Sequence, residues 1–317
     1  MSTHRVDVVR IKDIERHPNA DALDLVKVFG YTCCIRRGEL AEGDLAVYVE
    51  PDYVVDSTRP EFAFLAGHER IKVRKLRGIY SQGLLIKAPP GMSEGQDVME
   101  HYGIRRYEPP MPLSTGGESE RPPAGFFPSY DVESWRRFGD TLVEGEEVVV
   151  TEKIHGASAR FAFRDDRMRA GSRTEWKVED PRNLWWQALE RNPWIEPFCR
   201  AHPDMAVYGE AFGRVQDLRY GAGKNDIFFR AFDVLSLDRW LDFDELAAIL
   251  PDDRRVPVVF RGPYARALES LAEGPTMISG ADHVREGIVI RPVKERTDPE
   301  LGRVQLKIVS NAYLERA

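Results

Sequence analysis

Val148-Val149-Val150-Thr151-Glu152-Lys153-Ile154-His155-Gly156 is the stretch on which the reading of this chain turns. Three valines in a row read as the inner part of a strand. Lys153 stands near its end, and Gly156 follows three residues later. A strand that ends by presenting one amine, followed by a loop that lets a ligand approach the backbone, sets a nucleophile beside a binding surface. A lysine so placed can attack a phosphorus and hold a nucleotide covalently. The tetrad Lys-x-His-Gly is short enough to arise by chance, so its weight depends on the rest of the chain.

Downstream, apolar runs predict strands at 205–208, 227–234, 287–291 and 303–309. Each carries a polar group that a plain core strand does not need. Glu210 follows Tyr208-Gly209, and Asp233 follows Phe232. Glu286 precedes the third run, and Lys307 lies inside the fourth. A hairpin is expected from 159–163 and 167–171, joined through Asp165-Asp166, with Ser172-Arg173 at its end. Each of these alone is an ordinary solvated strand end or ion pair. Together, in this order after Lys153, they are hard to explain as packing.

The order resembles that of the covalent nucleotidyltransferase superfamily, which contains polynucleotide ligases and mRNA capping enzymes. Lys153-Ile154-His155-Gly156 resembles its nucleophile motif and Ser172-Arg173 the short motif after it. Tyr208-Gly209-Glu210 with Phe232-Asp233, then Glu286-Gly287-Ile288-Val289, then Leu306-Lys307, resemble the third, fourth and fifth motifs. The match covers most of residues 129–317. Histidine at 155, where DNA ligases and capping enzymes usually carry aspartate, is similar to the RNA-ligase branch. So is the absence of room for a further domain after Lys307 in this sequence. With an OB-like module ahead of it, the chain resembles the Deinococcus-type ATP-dependent RNA ligases. The stretches Phe127-Pro128-Ser129-Tyr130-Asp131-Val132-Glu133 and Leu306-Lys307-Ile308-Val309-Ser310 add to that likeness. One departure stands out: related ligases often carry Lys-x-Lys in the last motif, and here the first position is Gln305, to which no catalytic role is given.

The resemblance implies an α+β fold, with an N-terminal OB-like β-barrel and a C-terminal nucleotidyltransferase domain of antiparallel sheets and flanking helices. It implies a three-step reaction. Lys153 would take AMP from ATP, the AMP would pass to an RNA 5′-phosphate, and a 3′-OH would then displace it at a nick. It also implies Lys307 as a second catalytic cation, Glu286 as the first metal contact, and Glu210 at the ribose or the metal. Phe232 would stack on adenine, Glu152 would read its edge, and Arg173 would hold a phosphate or ribose. His155 and Gly156 would border the nucleotide. Arg160 and Asp233 could belong to the site or to the frame around it. Because phosphoryl transfer rests on positioning and charge neutralisation, Mg2+ or Mn2+ is expected.

The bulk numbers agree with such a protein. The chain has 317 residues, 42% hydrophobic and 31% charged, which suits about two globular domains. No apolar stretch is long enough to span a bilayer and no cationic-apolar leader opens the chain. Cys33, Cys34 and Cys199 have neither disulfide nor zinc spacing, so a reducing cytoplasm is the expected setting. The net charge of −7 argues against indiscriminate coating of nucleic acid, but leaves room for local basic patches. One is Arg70-Ile71-Lys72-Val73-Arg74, where strand alternation would put Arg70, Lys72 and Arg74 on one face toward a polynucleotide.

Residues 108–128 are rich in Pro and Gly and read as a linker. It separates an OB-like module at 1–107 from an adenylyltransferase domain at 129–317. In the former, short strands are expected at 6–11, 24–29, 45–49, 70–73 and 83–86, and His17 is read as a turn residue. In the latter, helices are expected at 183–200, 242–250 and 264–272, with Trp185, Trp186 and Trp194 as packing aromatics. The expected partner is RNA or an RNA-containing nicked duplex, with no membrane partner, and the expected state is a monomer. The competing readings are a catalytically inert nucleic-acid-binding protein, a DNA ligase or capping-type enzyme, and a tRNA-binding accessory protein.

Overall fold

The computed structural model describes residues 4–107 and 117–316. Val148, Val149 and Val150 are fully buried in the strand Glu147–Lys153, and the segment 154–156 just beyond it joins the two large sheets. The described chain divides into two compact units. One holds residues 117–134 and Phe138–Ser310. The other holds residues 4–107, Trp135–Arg137 and residues 311–316.

In the larger unit, the strand Glu147–Lys153 lies in a five-stranded sheet. The order is Glu133–Ser134, Leu306–Val309, Gly287–Pro292, Glu147–Lys153 and Val258–Pro263. The chain then leaves through Ile154, His155 and Gly156 and enters a seven-stranded sheet at Ala157–Arg164. That sheet continues on one side through Arg167–Gly171, Trp176–Lys177 and Ser119–Glu120. On the other side it continues through Met205–Gly213, Ile227–Ser236 and Arg239–Trp240. Neighbours are antiparallel except Glu133–Ser134 with Leu306–Val309. The Lys-x-His-Gly segment is thus the crossing point between two sheets. The hairpin turns at Asp165 and Asp166, both with positive φ (54° and 56°), as a two-residue turn matched to strand twist requires.

Two helices cover the seven-stranded sheet, Leu184–Arg191 and Ile195–Ala201. They replace the single helix expected over 183–200. Pro193 has no N–H to donate and disfavours helical backbone at Asn192. Asn183 caps the first helix through its side-chain oxygen, which accepts from the Trp185 N–H. Trp185 and Trp186 are buried in the core with Phe161, Val207 and Phe229, as packing aromatics should be. The helix Phe243–Ile249 is closed by an Asp242–Glu245 capping box. The helix expected at 264–272 is a tighter 3-10 segment, Arg266–Ala272. The run 303–309 is split: Gly302–Arg303 pairs with Thr297–Asp298, and only Leu306–Val309 joins the large sheet.

The expected linker has two fates. Its residues 108–116 lie outside the described part. Residues 117–128 are built into the larger unit: Ser119–Glu120 is an edge strand on Trp176–Lys177, and Phe127 packs edge-on against Trp176. Its backbone is also held, since Phe127 O accepts from Arg160 at 3.1 Å and Pro128 O from the Tyr208 hydroxyl at 3.2 Å.

The smaller unit is made of short antiparallel strands. Val8–Arg10, Leu45–Val49 and Leu84–Lys87 form one sheet, Ile14–Arg16, Leu23–Val28 and Tyr31–Arg36 another, and Val73–Leu76 with Ile79–Gln82 a ribbon. The strand Tyr31–Arg36 exceeds the sequence expectation. Its turn is Phe29-Gly30, with Phe29 at φ +52°, and an aromatic at such a position gives no turn signal. His17 is a turn residue as expected: Nδ1 accepts from the Asn19 N–H, and Nε2 faces Leu76 O at 3.1 Å. Two segments distant in sequence complete this unit. Arg137 forms ion pairs with Asp7 at 2.6 Å and with Glu50, and Gln82 donates to Asn311 in the helix Asn311–Arg316. Among the described residues no helix is long and apolar enough to cross a membrane.

Candidate active site

Alternation along Glu147–Lys153 puts Val149, Thr151 and Lys153 on one face of the five-stranded sheet and Glu152 on the other. Cross-strand register extends that face. Lys153 lies opposite Gly287, and Thr151 opposite Val289, which is in turn opposite Lys307. Lys307 therefore shares the face of Lys153, two strands away. From the second sheet, Ser158 and Glu210 are cross-strand partners. These elements border a pocket lined by Lys153, Thr151, Val289, Ser158, Glu210 and Phe232, among others.

Two glycines are demanded by close approach. A Cβ on Gly156 would stand 2.2 Å from Ala211 O and 3.0 Å from Glu210 Cγ. One on Gly287 would stand 2.0 Å from Ile308 O. Their bareness lets the nucleophile loop and the Glu286 strand close onto their neighbours.

Lys153 Nζ is 2.6 Å from Glu286 Oε2. His155 Nδ1 is 3.9 Å from the same oxygen, and His155 Nε2 is 2.8 Å from Asp217 Oδ1. The Tyr220 hydroxyl accepts from the His155 N–H at 2.7 Å. Burial lowers the His155 pKa, against the pull of Glu286 and Asp217, which favours the neutral ring. Glu210 is pushed up to about 8, first by loss of water; Lys153 and the Gly156 N–H oppose this, and Glu286 adds to it. Two carboxylates, Glu210 and Glu286, thus face one lysine.

Among the described residues no group of three or more His, Cys, Asp or Glu is arranged to hold a metal ion. A site with one or two carboxylates suits Mg2+ or Mn2+, whose other ligands are water and substrate phosphates. The mutual repulsion of Glu210 and Glu286 is what such a cation relieves, so the residues fit it.

Of the other expected site residues, some line this pocket and some lie behind it. The Glu152 carboxylate accepts from Thr276 Oγ1 at 2.5 Å and from the Met277 N–H at 2.7 Å, and burial raises its pKa. Glu152 also lines the pocket, and each of its oxygens keeps a further acceptor lone pair. Arg173 is half-exposed and pairs with Asp131 at 2.8 Å, beside the pocket-lining Tyr130 and Val132. Phe232 lines the pocket, its ring centroid 4.4 Å from that of Tyr130. Asp233 belongs to the frame. It is fully buried and accepts from Tyr130, Arg291 and Arg303. Gln305 is buried too; its Nε2 donates to Asp131 O and its Oε1 accepts from the Tyr130 hydroxyl. Arg160 is buried under the 127–128 segment and over the Trp176 ring.

In the smaller unit the basic run departs from expectation. The strand begins at Val73, so Arg70 precedes it. The Arg70 guanidinium binds Asp52 at 2.7 Å and lies 3.8 Å from the Tyr107 ring centroid. Lys72 is half-buried, and Arg74 and Lys75 are exposed. Tyr130, Asp217 and Tyr220 had drawn no role from sequence. No spacing rule joins them to Lys153, and only the folded sheets bring them there.

A family model described as RNA ligase matches residues 146–309, and one described as an OB-fold domain matches residues 5–88. No curated protein matches the sequence. Among solved structures, a Naegleria gruberi RNA ligase mutant with ATP and Mn superposes with a TM-score of 0.82 at 25% identity, covering 99% of each chain. The same ligase with PPi gives a TM-score of 0.81 at 26% identity over 98% of both chains. A further mutant of it with AMP and Mn gives 0.79 at 25%, over 99% of this chain and 98% of that one.

Proposed function

This chain belongs to the RNA ligase family, and from that premise we propose that it is an ATP-dependent ligase that seals 3′-OH and 5′-phosphate ends at nicks through a lysyl-AMP on Lys153. The observation that carries the reading is the Lys153–Glu286 pair at 2.6 Å, on a pocket bordered by Glu210 and on the sheet face that carries Lys307.

An amine attacks phosphorus only as the free base. Glu286 is placed to hold the Lys153 ammonium and to accept its proton as the N–P bond forms. The α-phosphorus then loses pyrophosphate, and the electron pair of the breaking P–O bond leaves with it. Lys307, two strands away on the same face, stabilises charge on the α-phosphate. Glu210 and Glu286 would hold a divalent cation, which neutralises phosphate charge when bound. Phe232 and Tyr130 form the aromatic wall for the adenine. The Glu152 carboxylate, oriented by Thr276 and Met277 and lining the pocket, reads the adenine edge. Arg173, at the Asp131 edge, is placed for a phosphate or ribose. The AMP passes to an RNA 5′-phosphate, and the 3′-OH displaces it. Arg74 and Lys72 of the smaller unit supply duplex contact, with Arg70 bracing that surface through Asp52. A monomer acting in the cytoplasm on broken RNA fits this assignment.

The test is direct. The protein is incubated with α-labelled ATP and Mg2+ or Mn2+, denatured, and examined for label on the polypeptide. Label that vanishes in Lys153→Ala is expected. No label with either metal, with no AMP already present by mass spectrometry, would sink the proposal.

A further inference from the structure

Ser158 on Ala157–Arg164 and Glu210 on Met205–Gly213 continue their cross-strand row by one more residue. Arg230, on Ile227–Ser236, lies directly opposite Glu210. In an antiparallel pair, side chains directly opposite project to the same face, with Cβ atoms about 5 Å apart. Ser158 and Glu210 both line the nucleotide pocket, so Arg230 extends the row outward from its wall. The next residue but one, Phe232, also lines the pocket, as does Val256, whose N–H donates to Ala231 O.

Arg230 is half-buried, and it differs from the other arginines of this unit that have a buried, unpartnered nitrogen. Nitrogens of Arg160, Arg169, Arg255, Arg291 and Arg303 also lack a hydrogen-bond partner, but each of those side chains is anchored elsewhere, to Phe127 O, Glu120, Asp252, Asp233 and Asp233 respectively. Arg230 Nη1 is buried without a partner, and among the described residues the side chain makes no hydrogen bond or ion pair. Burial weighs on its charge, opposed by Asp253 alone. Leaving a buried guanidinium nitrogen without an acceptor is costly, and a ligand that supplies the anion removes that cost.

We propose that Arg230 is a phosphate-binding residue of this site, taking a phosphate group that lies past Glu210. The inference rests on the ligase reading above. The guanidinium fork suits a phosphate bidentately, which a lysine does not reproduce. Two phosphates of the reaction have that chemistry: the β,γ-diphosphate of the nucleotide and the 5′-phosphate of the polynucleotide.

The test separates them. Arg230→Gln and Arg230→Lys are compared with wild type in two single-turnover measurements, lysyl-AMP formation at varied ATP, and transfer of AMP from the pre-adenylylated protein to a nicked duplex with a 5′-phosphate. Binding of inorganic pyrophosphate is followed by calorimetry. A loss of about tenfold or more in one measurement is expected for Arg230→Gln, partly restored by Arg230→Lys. Loss in lysyl-AMP formation with weaker pyrophosphate binding assigns the diphosphate. Loss confined to transfer assigns the 5′-phosphate. Wild-type rates in both overturn the proposal, as does an equal loss in both with a lowered melting temperature and no rescue by lysine, which marks a structural residue. A wild-type protein that forms no lysyl-AMP removes the ligase reading itself, and this inference with it.

Discussion

Two clusters of charge lie within the larger unit, and they are built on opposite principles. Around Asp233, two carboxylates meet two guanidiniums: Asp233 and Glu295 are paired with Arg291 and Arg303 at 2.6–3.2 Å. The Tyr130 hydroxyl donates into it, and the sum of charge is zero. Around Lys153, one amine faces Glu286, Glu210 is held mostly neutral beside it, and Asp217 orients a neutral imidazole. Negative charge is in excess there. The first cluster is balanced in charge by the protein itself, although one nitrogen each of Arg291 and Arg303 lacks a hydrogen-bond partner. The second is left incomplete, and a nucleotide with its cation supplies what it lacks. The difference explains why Asp233, which the motif order places beside Phe232, is frame, while Glu210, on the neighbouring strand, belongs to the site.

Breaking the second cluster should be fatal to chemistry and harmless to folding. Lys153→Ala should abolish transfer of label from ATP, by at least about a thousandfold since no other group can form the bond, with an unchanged melting curve. Retained labelling would place the nucleophile elsewhere. Breaking the first should do the reverse. Asp233→Asn leaves Arg291 and Arg303 short of one carboxylate, and should cost about 3–5 kcal/mol in urea unfolding. A loss below about 1 kcal/mol would mean that Glu295 alone balances both arginines.

The pH dependence sharpens the contrast. Folding raises the Glu210 pKa from 4.5 to about 8. Between those values the folded protein holds a proton that the unfolded chain has lost. The contribution of Glu210 to stability is therefore greatest below pH 4.5 and declines as pH rises toward 8. In metal-free protein, Glu210→Gln should flatten that decline. An unchanged slope would show the carboxyl to be better solvated than its surroundings indicate. The smallest effect is expected at the rim. Arg173→Ala removes a half-exposed pair with Asp131 and should cost no more than about 1 kcal/mol of stability. A larger loss would move Arg173 into the structural class.

Local signals carried the skeleton of this site. Lys153 at a strand end, Gly156 after it, the Asp165-Asp166 turn and the apolar runs before Glu210 and Asp233 are all legible from periodicity and turn chemistry. The break at Pro193 has a local cause too, but the 183–200 run reads as helix throughout when periodicity alone is followed. Sequence could not say which strands pair, and pairing decides the rest. Arg230 looks like an ordinary polar residue in an aromatic run until register sets it opposite Glu210. Glu152 is named beside the nucleophile by the sequence, but its anchoring by Thr276 is set only by the fold. Arg70 looks exposed until the strand starts three residues later and Asp52 claims it. Gln305 breaks the family pattern at the level of motif, yet it is buried and bonded to the Tyr130 segment, which a lysine there would have to replace with a charge.

The smaller unit contains residues 4–107, but also Trp135–Arg137 and residues 311–316. A ribosome delivers those parts at three separate times. The sheet partners of residues 4–107 are all available early, yet the Arg137 clamp on Asp7 and Glu50 arrives only after the 117–134 segment. The helix Asn311–Arg316 arrives only once Phe138–Ser310 has been made. Residues 4–107 therefore emerge before Phe138–Ser310 and yet are finished after it. Cutting after residue 107 does not release a whole unit, and a fragment that fails to bind RNA would report a missing clasp before it reported a missing contact.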